Sequence, residues 1–231
     1  MKKNTLVVMG NGPSLKSIDF DLLGKFDTFG LNSAYRAYGR LNWWPTYHGC
    51  FDFVVTDSHR DNFADLTLKN NPIKRFFYLE KLSNSKRLQK ITLFRTGYAW
   101  NSSESDFKKF SDGGNSGVNA CQIGVCLGYK KIILVGVDCN YKEMIDGAKQ
   151  VKDGNKKYLE MSKTPNKNSN YWFDDYQQKG DKFNLPQENK FHRPAWDKLA
   201  VRSKNNGIDI VNCSPGTTLK CFRLSRLEDE A

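Results

Sequence analysis

A short apolar run, Thr5-Leu6-Val7-Val8-Met9, ends in Gly10-Asn11-Gly12-Pro13-Ser14. The run does not alternate, so it reads as a strand buried on both faces, as in a parallel sheet. The turn leads into Leu15-Lys16-Ser17-Ile18, which can open a helix. Glycine at 10 and 12 admits positive φ and close approach of a ligand to the backbone. Asn11 and Ser14 set short polar groups at the strand's carboxyl end, where open α/β sheets bind ligands. A tight strand-to-helix turn with no ligand would use the same residues.

The rest of the chain repeats this grammar. Thr28-Phe29-Gly30-Leu31-Asn32 reads as a second strand, and Phe51-Asp52-Phe53-Val54-Val55-Thr56-Asp57 as a third, with Asp52 or Asp57 at the sheet edge. Residues 74–79 and 91–95 suggest two more. Asp112 to Gly117 is a second glycine-rich turn. It opens an apolar helix, Val118 to Leu127, before the clearest strand, Lys131 to Asp138. A glycine turn at a helix N-terminus suits phosphate, because free N–H groups and the helix dipole point there; an ordinary cap is the alternative. Pro194 fits the first turn of a helix running to about Lys204, and Ile208 to Cys213 is the last strand. Between Tyr141 and Asn189 the composition turns polar, with Lys, Asn, Gln and Asp. A span of this kind is either a disordered insert or a mobile lid.

The fold class is therefore α/β, Rossmann-like, a mostly parallel sheet flanked by helices and carrying a polar lid segment. The expected division is 1–140 as a nucleotide-binding core, 141–191 as a flexible lid or insert, and 192–231 as a helix and strand completing the core.

Charge narrows the partners. Lys and Arg number 36 against 25 Asp and Glu, a net charge of +11. That favours anionic ligands, whether nucleic acid, a phosphorylated small molecule or a membrane surface. The basic residues are scattered, with no basic stripe interleaved with aromatics, which argues against nucleic acid. Six cysteines show no CxxC pair and no zinc spacing with histidine, which reads as a reducing, cytoplasmic compartment. The first apolar run is too short for a signal peptide, and no stretch is long enough to span a membrane.

Every convincing strand ends near a small polar or acidic residue: Asn11, Asn32, Asp52 or Asp57, Asp138, and Asn212 or Ser214. In a parallel sheet these ends share one edge, a pocket that could read a base or ribose while N–H groups near Ser116 hold phosphate. Neither GxxxxGK[ST] nor a complete GxGxxG is present, which argues against a P-loop NTPase and a standard dinucleotide enzyme. His192 precedes Arg193-Pro194, so Arg193 is biased toward extended backbone and His192 toward a loop at a helix N-terminus. The positive helix end would keep the imidazole neutral, fit to take a proton from a hydroxyl; a surface histidine bonding a backbone group is the alternative. Asp57-Ser58-His59 is no hydrolase triad, since sequence adjacency does not give triad geometry.

Gly10-Asn11-Gly12-Pro13-Ser14-Leu15-Lys16, Asn32, Ser116-Gly117 with its apolar helix, Gly136-Val137-Asp138, His192, and Cys213-Ser214-Pro215 together resemble the bacterial sialyltransferases of glycosyltransferase family 42. The order covers nearly the whole chain, except that residues 43–112 do not align. The resemblance implies a GT-A-like variant of the fold and transfer of sialic acid or a related acidic sugar from a CMP-activated donor to a glycan acceptor, with inversion. It implies that Asn11, Gly12, Asn32, Asn115, Ser116, Gly117 and Asp138 hold the nucleotide. A further family asparagine falls on Asp52, with Asp57 the weaker match. His192 would be the general base, and Tyr141 one of two lid tyrosines that hydrogen-bond the departing phosphate; the second falls among Tyr158, Tyr171 and Tyr176. An arginine that the family places before the Ser-Gly turn is replaced here by Gly113, which leaves acceptor choice open. No cofactor or metal site is implied, although a divalent metal could stimulate. Expected partners are the CMP-sugar and a glycan, with room for a homo-oligomer and for peripheral association at the inner membrane surface. The rivals are a pyrophosphokinase-like transferase sharing the Gly-Asn-Gly-Pro-Ser turn, and a non-catalytic nucleotide or glycan binder.

Overall fold

The computed structural model describes residues 4–80, 82, 91–94, 114–141, 145–154, 156–184 and 188–231. In chain order the strands are β1 (Thr5–Met9), β2 (Asp27–Leu31), β3 (Tyr47–Cys50), β4 (Arg75–Leu79), β5 (Ile91–Phe94), β6 (Lys131–Val135), β7 (Ala148–Asp153), β8 (Lys156–Met161), β9 (Lys182–Phe183), β10 (Asp209–Asn212) and β11 (Arg223–Leu224). The α-helices are α1 (Phe20–Leu23), α2 (Tyr35–Tyr38), α3 (Phe53–Ser58), α4 (Arg60–Leu68), α5 (Ser116–Cys126) and α6 (Arg193–Asn205).

Both faces of β1 are buried, as its apolar run requires. Leu6 and Val8 join a cluster with Phe29, Ile123, Leu134 and Trp196, on the side covered by α5 and α6. Val7 and Met9 join Leu15, Leu23, Val135 and Val211 on the opposite face. A third cluster, with Tyr38, Phe63, Phe76 and Tyr78, lies under α2 and α4. Eight strands form one sheet in the order β11-β10-β6-β1-β2-β3-β4-β5. Every pairing in it is parallel. The expected α/β architecture is the one observed.

The strand order decides where a ligand can sit. From β1 the chain steps outward through β2, β3, β4 and β5, then returns by α5 to lay β6 on the other side of β1. Successive crossovers therefore diverge between β1 and β6, and a crevice opens at their carboxyl ends.

Two sequence readings change. The third strand is Tyr47–Cys50, and the run read as a strand from Phe51 to Asp57 is mostly helix α3. Asp52 makes the difference: its carboxylate accepts from the N–H groups of Val54 and Val55 and caps the helix against the β propensity of Phe53, Val54 and Val55. The polar span after Tyr141 is not structureless. β7, β8 and β9 form a three-stranded antiparallel sheet. Leu159, Met161 and Phe183 from it pack into the cluster under α2 and α4, and Trp172 reaches the β1 face.

Candidate functional site

At the crevice between β1 and β6 lies a cavity of about 320 Å³. Ten of the residues singled out from the sequence line it: Asn11, Gly12, Asn32, Asp52, Asn115, Ser116, Gly117, Asp138, Tyr141 and His192. They come from six strand ends or helix starts, and from the insert's first residue. The Asn212 and Ser214 positions at the end of β10 are spent elsewhere. Ser214 accepts from the Val137 N–H at 2.8 Å and Asn212 donates to Thr217 at 3.2 Å, bracing the turn after β6. Asp57 is exposed on α3 and pairs with Arg60 at 3.1 Å.

The opening turn is a clamp. Gly10 N–H donates to Val135 and Gly12 N–H to the Gly136 carbonyl, at 2.7 and 2.9 Å. Ser14 donates its backbone N–H to Asp138 at 2.9 Å and its hydroxyl to the other carboxylate oxygen. Gly12 sits at φ −70°, so positive φ is not its reason. A Cβ on Gly10 would lie 2.2 Å from the Gly136 oxygen, and one on Gly12 2.5 Å from the Asp138 carboxylate. Both glycines exist to let two turns touch. Burial raises the Asp138 carboxyl above the ordinary aspartate value, against the lowering effect of its bonds from Ser14.

Asn11 is 8% exposed and donates Nδ2–H to the Leu31 carbonyl at 3.1 Å. Among the described residues its buried Oδ1 has no partner. Asn32 follows β2 at φ +53°, a left-handed conformation that asparagine tolerates better than most residues. Its side-chain oxygen accepts from Ser116 at 3.2 Å, which ties the end of β2 to the start of α5. Its carbonyl accepts at 3.0 Å from Nε2 of the buried His48, whose Nδ1 then accepts from Tyr78 at 2.8 Å. Asn115 caps α5 through the Val118 N–H at 2.9 Å. A Cβ on Gly117 would lie 2.7 Å from the Trp196 ring, so this glycine admits α6 to α5 rather than a ligand.

His192 does not stand on a loop. A π-helical turn, Glu188–His192, runs straight into α6, and Arg193 is helical despite the following proline. Arg193 offsets the pre-proline cost by donating to the carbonyls of Cys139 and Thr218 at 2.7 and 3.0 Å. His192 is consequently one turn inside a continuous helical segment, away from its free positive end. Half-buried, it meets Tyr141 edge to face, ring centroids 5.9 Å apart. Tyr141 meets Tyr171 at 6.4 Å, and Tyr171 stacks on Tyr176 at 3.9 Å. Loss of solvation pushes the hydroxyls of Tyr171 and Tyr176 well above 10, so both stay protonated donors at neutral pH.

Sequence reasoning missed a polar corner of the same cavity. His59 is 2% exposed, its Nδ1 2.9 Å from the Tyr35 hydroxyl and its Nε2 3.6 Å from Asp181. Burial drives its pKa down to about 4, more than Asp181 raises it. Arg36 forks onto Asp181 at 2.5 and 2.9 Å and donates to the Tyr176 carbonyl at 2.8 Å. Asp181 and Tyr176 lie more than a hundred residues from His59 and Arg36, so no local spacing could announce these pairs. Gly113 lies outside the described residues. Among the described residues no three His, Cys, Asp or Glu side chains converge as a metal site, and no helix is long and apolar enough to cross a membrane.

No protein-family model and no curated protein matches the chain. Solved structures do match in fold. The sialyltransferase CstII from Campylobacter jejuni, in complex with the substrate analogue CMP-3FNeuAc, aligns over 96% of this chain and 85% of its own, with a TM-score of 0.53 and 20% identity. The sialyltransferase CST-II in complex with trisaccharide acceptor and CMP aligns over 95% and 84%, also at TM-score 0.53 and 20% identity. The MAf glycosyltransferase from Magnetospirillum magneticum AMB-1 aligns over 98% of this chain, TM-score 0.51 and 13% identity, and this chain spans 34% of its length. At these identities the likeness is one of fold.

Proposed function

We propose that the chain is a glycosyltransferase that moves an acidic sugar of the sialic acid type from a CMP-activated donor to a glycan acceptor. The observation that carries the reading is the one cavity onto which Asn11, Asn32, Ser116, Asp138, Tyr141 and His192 converge, at the switch point between β1 and β6. The fold shared with an enzyme named for a bound CMP-sugar analogue supports the same reading.

In this reading Asn11 Oδ1 accepts from an amino or hydroxyl donor of the cytidine, and the start of α5 lies beside the phosphate. His192 takes the proton of the acceptor hydroxyl as that oxygen attacks the anomeric carbon from the face opposite CMP, which inverts the configuration. The bond to the phosphate oxygen breaks as the new bond forms. Tyr141, together with Tyr171 or Tyr176, donates to the phosphate as negative charge develops on it. CMP leaves with a single phosphate, so these donors suffice without routing the step through a metal.

The test is to incubate the protein with CMP-sialic acid or CMP-Kdo and a mixed glycan acceptor while monitoring CMP release, with thermal stabilisation by CMP measured in parallel. CMP should stabilise the protein, and His192→Ala should keep that stabilisation while transfer falls by at least about 100-fold. Undiminished transfer in His192→Ala would sink the base assignment, and stabilisation by ATP but not CMP would sink the donor assignment.

A further inference from the structure

One buried residue is used by no step of the proposed transfer. His48, in β3, is fully buried and does not line the cavity. Its ring is boxed by Tyr35, Tyr38, Phe63, Phe76 and Tyr78, with centroids 5.7 to 6.4 Å away. A neutral imidazole buried in this way needs a donor for one nitrogen and an acceptor for the other. Tyr78 meets Nδ1 at 2.8 Å, and the Asn32 carbonyl meets Nε2 at 3.0 Å. A carbonyl can only accept, so the proton sits on Nε2 and Tyr78 donates to Nδ1. Burial lowers the pKa of the ring to about 3, so it stays neutral at neutral pH.

The address of this bond is what matters. Among the described residues Asn32 is one of three non-glycine residues at positive φ. In that conformation its Oδ1 accepts from the Ser116 hydroxyl at 3.2 Å, which leaves Nδ2 as the group Asn32 can offer a ligand. The turn is gripped at three successive points. Asn11 Nδ2 donates to the Leu31 carbonyl at 3.1 Å, His48 to the Asn32 carbonyl, and the Ser33 N–H donates to the Tyr176 hydroxyl at 3.3 Å. Asn11 and Tyr176 line the cavity, where a ligand can compete for them. Of these three partners only His48 grips the turn from the core.

We infer that His48 is a positioning residue of the donor site: its Nε2–H holds the left-handed Asn32, and so keeps the asparagine side chain on Ser116 at the cavity wall. That the ligand is CMP rests on the reading above; the hold on Asn32 rests on the two histidine bonds.

The test separates the N–H from the ring. His48→Phe keeps a ring in the aromatic box and removes the donor, whereas His48→Gln sets an amide N–H near the place of Nε2. CMP affinity in calorimetry should fall about tenfold in His48→Phe and return to within about threefold of wild type in His48→Gln. KM for a CMP-sugar should follow the affinity with kcat unchanged, since His192 and the tyrosines are untouched. Phe76→Leu loosens the same box without touching Asn32; it should lower the thermal midpoint and leave CMP affinity at the wild-type value. Full affinity in His48→Phe, or an equal loss in Phe76→Leu, would overturn the inference. Should His48→Phe not fold, the wild type still decides. Nitrogen NMR of the imidazole should find Nε2 protonated and Nδ1 bare, and the opposite tautomer would break the bond to Asn32 and overturn the inference. If the wild type binds no CMP, the donor reading falls and the Asn32 carbonyl carbon shift decides the rest. A shift displaced in His48→Phe and restored in His48→Gln keeps the positioning role, and one shift common to all three proteins removes it.

Discussion

Asn11 gives its amide to Leu31, lines the cavity, and keeps Oδ1 buried with no partner among the described residues. An unmet buried acceptor costs about 1–3 kcal/mol, a cost that a ligand donor can remove. Asn11→Ala should therefore weaken CMP binding by about 10- to 100-fold in calorimetry, with folding perturbed much less than binding. Binding that is indifferent to this change would mean that Oδ1 faces only water. The glycines beside it carry a lesson about legibility. The sequence placed Gly10 and Gly12 in the right turn, but positive φ is not what requires them. Positive φ is a local property and can be anticipated from neighbours. The actual constraint, contact with Gly136 and Asp138, comes from a strand more than 120 residues away. Gly12→Ala should accordingly lower the thermal midpoint even without ligand, because its methyl meets the carboxylate that Ser14 clamps. An unchanged midpoint would show that the two turns can separate freely.

Elements were legible in proportion to how much of their burial was continuous. β1 and β6 are apolar runs and were read directly; α5 was apolar on nearly every side and was read within two residues. The insert was not, because its buried residues are dispersed. Leu159, Met161, Trp172 and Phe183 each dock on the core from within polar surroundings, and the one alternation, Leu159 with Met161, is too short to announce a strand. What fixes this segment is Arg36 on α2. Its fork on Asp181 and its bond to the Tyr176 carbonyl join the tyrosine stack to the core. Both side chains are only 11–12% exposed, so removing one leaves a nearly buried charge unpaired. Arg36→Met should cost about 3 kcal/mol in urea unfolding and speed amide exchange across residues 172–183 more than across β1 or β6. Exchange that rises uniformly would mean that the pair supports the whole fold and does not specifically hold the insert.

At the scale of the molecule, the switch between β1 and β6 concentrates polar chain ends on one edge, while the sheet beneath must stay dry. Two histidines are buried close to that edge, His48 in β3 and His59 at the start of α4. Burial takes His48 down to about 3 and His59 to about 4, against an ordinary value of 6.5. A depressed histidine is neutral when folded, whereas the unfolded chain binds its proton from about pH 6.5 downward. The unfolded state then holds more protons, so stability falls as pH falls, by up to about 1.4 kcal/mol per unit for each histidine. The loss starts near 6.5 and runs to about 4 for His59 and about 3 for His48. Glu230, held at about 2 by Arg223 and Lys131 against an ordinary 4.5, adds its own loss from about 4.5 down to about 2, overlapping the acid end of that window. Asp138, raised by burial, acts with the opposite sign. Urea midpoints measured from about pH 7.5 to about pH 5 should therefore drop steadily, and His59→Gln, which cannot take the proton, should cut the slope by about half. A slope unchanged in His59→Gln would place the proton uptake elsewhere, and a flat profile in the wild type would mean that both imidazoles titrate in the folded protein as they do in water.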